Sequence, residues 1–426
     1  MKFHSTRHAG LSFSFREAVL HGLAPDGGLV VPEQISSLPP SFWANFSRYS
    51  PEEIAYEVAW PFLKTDFIPA QVQQIVQHTL SFSIPLVRVN SSIYSLELFH
   101  GPTLAFKDVG ARFLAAVLGH LAKDEPRETT VLVATSGDTG SAVAHGFYNV
   151  PGTRVVVLYP SGKVSELQEK QFTTLGGNIT ALEVEGTFDD CQQLVKQAFA
   201  DADLRQRVSL TSANSINIAR LLPQTFYYFL AAAQLPPETP LVFSVPSGNF
   251  GNLTAGVLAQ RMGLPVEKFL AATNRNDTVP VYLRTGQFDP KPSVPTISNA
   301  MDVGNPSNFE RLVHLFGTQR MMAAALEGYA YSDSETRDAI RTLFRDTGYV
   351  LDPHGAIGYL ACRDYATRHP NACCIFLETA HPVKFKETVE GQVGEVEVPE
   401  RLRKLLTATK QSIKIPARYE ALRSQF

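Results

Sequence analysis

VLVATSGDTGSAVAHGF, residues 131–147, decides the fold: an apolar run stops at a loop of small residues that opens directly into a helix. A second stretch of the same design, LVFSVPSGNFGNLTAGVLA, spans 241–259. Outward from these two, Val/Ile/Leu-rich runs recur at 154–160, 179–186, 268–273 and 373–379. Helical stretches are expected between them at 109–123, 165–175, 188–206, 253–263 and 335–346. Apolar strands alternating with helices suit parallel sheets covered on both faces, because such strands are buried on both sides. The chain reads as an α/β protein. Thr187 with Asp190 makes a box-like helix start, and Gly348 follows a helix ending in Arg-Asp-Thr. Proline and charge interrupt the pattern at 123–130, 234–240 and 289–296, which are the expected joints.

A chain of 426 residues exceeds one ordinary core. Residues 1–90 read as an N-terminal helical and loop region packed on the larger domain, 91–230 as a smaller mobile α/β domain, and 231–426 as the larger one. A net charge of -3 with no Lys/Arg block gives nothing to neutralise a nucleic-acid backbone, so no nucleic-acid partner is expected. MKFHSTRHAG lacks the apolar core of a signal peptide, and no apolar run approaches the ~18 residues that cross a bilayer. A cytoplasmic protein without a membrane partner is expected. Cys191, Cys362, Cys373 and Cys374 have no metal-ligand spacing and read as buried reduced thiols, so no metal is expected.

The chemistry starts at HGPTLAFKDVGARF, residues 100–113. Gly101 and Pro102 break a strand-like run, and an apolar helix follows, which puts Lys107 at a turn-to-helix boundary. Desolvation and a helix N-terminus both disfavour an ammonium there, and a neutral amine can form a Schiff base. A surface lysine that begins a helix is the alternative. Each small-residue loop at a strand end is a candidate anion cradle, since helix N-termini offer N–H groups and a positive dipole. Neither G-x-x-x-x-G-K-[ST] nor G-x-G-x-x-G occurs in the chain. In Gly248-Asn249-Phe250-Gly251-Asn252 the glycines permit close backbone approach, and the asparagines tolerate left-handed conformations. LETAHPVKF, residues 377–385, sets the hydroxyl of Thr379 at a strand end. A cofactor with an aldehyde for Lys107, a phosphate for residues 248–252 and a pyridine nitrogen for Thr379 accounts for all three: pyridoxal 5'-phosphate.

HGPTLAFKD, ATSGDTGSA, SVPSGNFGN, SNAMDVGNPSNFER and ETAHPVKF, in this order over nearly the entire chain, resemble the long microbial threonine synthases. The STR region, APDGGLVVP and YPSGKVSELQEKQ belong to the same likeness. The resemblance implies the tryptophan-synthase-β-like fold, fold type II, with two open α/β domains. It makes Lys107 the catalytic Schiff-base lysine, Gly248 to Asn252 the phosphate cradle and Thr379 the partner of the pyridine nitrogen. Asp138 takes the loop position where relatives place an asparagine beside the ring hydroxyl. The implied reaction takes O-phospho-L-homoserine and water to L-threonine and phosphate.

The substrate carboxylate is then expected at Thr135, Ser136 and Thr139, at a helix start. Candidate cations for the substrate phosphate are Arg7, Lys163, Arg220 and Lys384. Asn217, three residues before Arg220, would share its helix face if that helix starts early enough. His381 reads as structural. A related phospho-amino-acid lyase or serine/threonine dehydratase is the enzyme alternative, and a non-catalytic metabolite-binding protein the alternative from another class. Monomer and homodimer both stay open.

Overall fold

In the computed structural model, which describes residues 1–124 and 127–426, two mainly parallel sheets organise the chain. The joint expected at 123–130 lies partly outside the described residues. Among the described residues the larger sheet orders its strands Leu326–Ala330, Val266–Thr273, Leu241–Pro246, Cys373–Glu378, Ile93–Glu97 and Leu86–Arg88. Every pairing is parallel except the last, an antiparallel edge. The smaller sheet is parallel throughout, in the order Ile413–Pro416, Ile179–Glu185, Thr153–Pro160, Thr129–Ala134, Ser209–Ser212.

Strand alternation assigns each face to a different core. Phe243, Val245, Phe269, Ile375 and Leu377 of the larger sheet join Val131, Val133 and Val155 of the smaller in one buried cluster. Helices Lys107–Leu121, Asp138–Phe147, Thr225–Ala233 and Gly251–Arg261 fill the space between the sheets and contribute to that cluster. On the outer faces, Val242, Leu270, Cys374 and Phe376 pack on Ile357 and Leu360, and Leu132, Val156 and Leu182 pack on Cys191 and Leu194. No helix among the described residues is long and apolar enough to cross a membrane.

Sheet membership crosses the boundaries expected from the sequence. The strand Ile93–Glu97, placed with the smaller domain, pairs in the larger sheet, and Ile413–Pro416, at the far end of the chain, edges the smaller one. Both are short and lack a long apolar run, so only pairing reveals their place. Residues 1–90 pack into the core shared by the two sheets, where Phe3, Phe15, Phe42 and Phe62 are buried, and Phe3–Ser5, Ser12–Phe13 and Val30–Pro32 form an antiparallel sheet. The helix expected at 188–206 is two helices, Phe188–Ala200 and Ala202–Arg207, because Asp201 takes an extended ψ and caps the second. The expected Thr187–Asp190 capping box is formed, and Gly348 is left-handed at φ 77°.

Candidate active site

Three adjacent parallel strands, Leu241–Pro246, Cys373–Glu378 and Ile93–Glu97, end on the same edge of the larger sheet. Their exits are the three stretches singled out by sequence: the loop of residues 247–252, the segment 379–385 and the turn leading to Lys107. With neighbouring strands about 4.8 Å apart, all three exits fall within reach of one small coenzyme. Phe106 N–H donates to Thr379 O at 2.8 Å and His381 N–H to Leu104 O at 3.1 Å, which stitches the lysine turn onto the central strand's exit. Leu104 adopts φ 59°, a left-handed conformation that a branched residue holds only where its surroundings enforce it.

Consecutive tyrosines on the helix Thr225–Ala233 tie the two ends of the site together. Tyr227 Oη donates to Phe106 O at 2.5 Å, directly before the lysine, and Tyr228 Oη donates to Asn252 O at 2.6 Å, at the end of the glycine loop. Burial pushes both phenols well above their ordinary pKa, so they remain donors.

The glycine loop is built as a cradle. Asn252 Nδ2 donates to Pro246 O at 2.8 Å and its Oδ1 accepts from Leu253 N–H at 3.0 Å, closing the turn on itself. Asn249 Oδ1 accepts from Ser307 N–H and Oγ, both at 3.2 Å, so its side chain anchors the loop to the segment before helix Phe309–Phe316. Phe250 is left-handed at φ 60°, which turns the chain into helix Gly251–Arg261. The first turn of that helix leaves N–H groups without intrahelical acceptors and with a positive dipole behind them, a donor set that fits a phosphate. Gly248 has no room for a side chain: a Cβ would stand 2.8 Å from Met301 Cα and 3.0 Å from Ala300 O.

Lys107 opens the helix Lys107–Leu121 with a side chain only 17% exposed, its Nζ 3.7 Å from Asp138 Oδ2. Burial is the largest influence on this amine and lowers its pKa; Asp138 opposes the shift, while Lys384 and Arg220 reinforce it. Asp138 starts the helix Asp138–Phe147 from the smaller sheet. Its carboxylate receives Lys384 Nζ at 2.6 Å and Gln168 Nε2 at 2.8 Å. Burial raises its pKa, but Lys384, Lys107 and Gln168 outweigh burial and hold it well below the usual carboxylate range. Gly137 before it, at φ 142°, lies against Gln168 with no space for a Cβ.

The other expected residues divide into groups. Thr379 is buried at the exit of the central strand. Thr135 Oγ1 accepts from Gly137 N–H at 2.9 Å and Gly140 N–H at 2.8 Å, so the loop's own threonine claims two of its donors. Ser136 is exposed and Thr139 half-buried. Lys384 is buried, its ammonium shared between Asp138 and Thr103 O at 2.8 Å. Arg220 is buried within influence of Lys107, donates to Ala213 O at 2.5 Å and leaves Nε without a partner; burial lowers its pKa to about 10. Asn217 does not share its helix face. It is the N-cap of the short helix Ile218–Leu221, and its Nδ2 donates to Val19 O and Ser212 O, both at 3.0 Å. Arg7 forms a two-point pair with Glu310 at 3.1 Å, and Lys163 is exposed where its charge faces Asp190. His381 caps its own turn, accepting from Val383 N–H at 3.2 Å, with a pKa lowered to about 4 by burial, in keeping with a structural role. All four cysteines are free, and Cys373 alone of them is only partly buried.

Sequence reasoning missed Gln168, Tyr227 and Tyr228. Gln168 stands in the quoted YPSGKVSELQEKQ segment, eight residues after the strand Thr153–Pro160 ends, while the tyrosines in FYYFL carry no signal beyond an apolar helix.

A family profile described as pyridoxal-phosphate dependent enzyme matches residues 82–377. Profiles described as threonine synthase N terminus and threonine synthase, C-terminal, match residues 2–80 and 355–425. Threonine synthase from Escherichia coli strain K12 is 46% identical over 427 residues, covering 99% of this chain and 98% of its own. Threonine synthase from Haemophilus influenzae is 47% identical over 407 residues, with coverages of 95% and 94%. The crystal structure of pyridoxal-phosphate-bound threonine synthase from Brucella melitensis matches with a TM-score of 0.94 at 34% identity, covering 100% of this chain and 98% of that one.

Proposed function

The chain belongs to the threonine synthase family of pyridoxal-phosphate-dependent enzymes, with their fold-type II architecture, and on that premise we propose how its residues turn O-phospho-L-homoserine and water into L-threonine and inorganic phosphate. One observation carries the assignment of roles: a buried amine, Lys107, whose ammonium is disfavoured, is stitched to the strand exit beside a glycine loop shaped for phosphate.

When bound, pyridoxal phosphate supplies an aldehyde for amines and a ring that draws electron density from the carbons beside them. Residues 248–252 would hold its phosphate, Thr379 its ring nitrogen, and Asp138 its ring-hydroxyl side, leaving Lys107 for the aldehyde. A hydroxyl at Thr379 offers the ring no carboxylate, so proton handling falls to the lysine. The net reaction breaks the Cγ–O bond, places a water hydroxyl on Cβ and leaves Cγ as a methyl. Protons must therefore leave Cα and Cβ, and protons must reach Cγ and return to Cα. Lys107 as a neutral amine is the base for them. Lys384 and Arg220 favour that neutral form, and Asp138, paired to Lys384, is kept from capturing the proton.

The N–H groups around Ser136 and Thr139 suit the substrate carboxylate, since Thr135 serves the loop itself. For the substrate phosphate, Arg7 and Lys163 stay the proposed cations, with Arg220, whose Nε is unpaired, nearer the amine. The test is an absorption spectrum of the purified protein before and after adding phosphohomoserine, with phosphate and threonine measured together. Phosphate release with 2-oxobutyrate in place of threonine would reassign the chain to a lyase or dehydratase activity on the same scaffold.

A further inference from the structure

Below the glycine loop runs a buried set of side chains that this mechanism does not use. Asp352 caps the helix Pro353–Arg368, accepting from His354 and Gly355 N–H at 2.8 and 3.2 Å, while its own N–H donates to Glu378 Oε1 at 2.7 Å. The His354 ring places Nδ1 2.5 Å from Asp352 Oδ1 and accepts at Nε2 from Ala300 N–H at 3.2 Å. An accepting Nε2 carries no proton, so the ring proton is on Nδ1 and Asp352 selects the tautomer. Ala300 belongs to the turn Asn299–Met301, the wall that leaves Gly248 no room for a Cβ. From the other side the turn is held by Asp302, which accepts from Thr296 Oγ1 at 2.7 Å and Asn274 Nδ2 at 2.9 Å.

We propose that His354 is a positioning residue for the cofactor phosphate. By accepting from Ala300 it fixes the turn against Gly248 and with it the spacing of the cradle, an inference that rests on the pyridoxal phosphate reading above. Its ring also packs against Phe385, next to Lys384, with centroids 4.7 Å apart, so the same side chain touches the segment that carries the Asp138 counter-ion.

The two ring nitrogens can be tested separately. His354→Gln puts an acceptor near the Nε2 position and gives up the Nδ1 donor; His354→Asn keeps the donor toward Asp352 and leaves Ala300 N–H without an acceptor. The measurement is the pyridoxal phosphate dissociation constant of each holoenzyme, by equilibrium dialysis followed through cofactor absorbance, beside kcat at saturating cofactor. His354→Asn should raise the dissociation constant about tenfold, the equivalent of 1.4 kcal/mol, with a smaller change in kcat. His354→Gln should stay within about twofold of the parent. Ala300→Pro removes the N–H and leaves the imidazole alone, and it should behave like His354→Asn. Equal cofactor loss in the Asn and Gln variants, or parental retention in Ala300→Pro, overturns the proposal; the latter decides the matter even if a His354 variant does not fold. A parent chain that holds no pyridoxal phosphate would instead sink the functional reading.

Discussion

Replacing Lys384 with Met probes the electrostatic centre of the site. Lys384 Nζ lies 2.6 Å from Asp138 Oδ1, and Lys107 Nζ 3.7 Å from Asp138 Oδ2. At an effective dielectric of about 20, the first pair attracts by roughly 6 kcal/mol and the second, while Lys107 carries its proton, by roughly 4 kcal/mol. Without Lys384 the carboxylate keeps Gln168 and turns to Lys107, so the apoprotein should lose about 2 kcal/mol, less than the roughly 3–5 kcal/mol of a buried charge left alone. The larger consequence falls on the amine. Lys384 now pushes Lys107 toward its neutral form while Asp138 pulls the other way; removing Lys384 deletes one influence and strengthens the other. Lys107, once substrate has displaced it, should then keep its proton to higher pH, and the acid limb of kcat should move to the alkaline side. The sign for Asp138 runs oppositely. Its depressed folded pKa contributes stability that is present above the unfolded value of about 3.9 and lost as pH falls through the folded one, so the variant should lose less on acidification. The assays are threonine formation between about pH 6 and pH 10 and urea unfolding of the apoprotein. An acid limb that stays in place would refute the reasoning, whatever happens to stability.

Lys107→Ala should abolish turnover and the visible absorption of bound cofactor together, and retention of both would remove the lysine from its role. Because burial depresses the Lys107 pKa, the parent apoprotein should gain stability as pH rises toward the unfolded lysine value of about 10.4, and Lys107→Met should flatten that slope in urea titrations. Gly248→Ala forces a Cβ to 2.8 Å from Met301 Cα and should weaken pyridoxal phosphate binding by about 1–3 kcal/mol, read by dialysis. Arg7→Ala and Lys163→Ala should raise the KM for phosphohomoserine far more than they change cofactor affinity, and equal losses would mark both as structural.

The α/β class, the strands at 241–246 and 373–378 and the family were legible in the sequence, and the comparisons bear out the cofactor reading. The run before Gly101 read as strand-like, but the sheet that a short strand joins was not legible. Ile93–Glu97 and Ile413–Pro416 are strands only because a neighbouring strand supplies hydrogen-bond partners, and nothing in five or four residues says which sheet that will be. At the site, the Lys107 turn, the glycine loop and Thr379 announced themselves through glycines, a strand exit and residue type. Tyr227 and Tyr228 did not, since a tyrosine in an apolar helix looks the same whether or not its hydroxyl ties two loops together.

The sequence by itself determined where strands end and where the backbone turns sharply enough to meet an anion, because periodicity and glycine conformations act over a few residues. Only the tertiary structure decided which partner each charge meets. Lys384 and Arg7 are equivalent cations on paper, yet one is buried against Asp138 and the other pairs with Glu310, 303 residues away along the chain. Charge pairing depends on distance in space and on exclusion of water, and neither is written in the local order of residues.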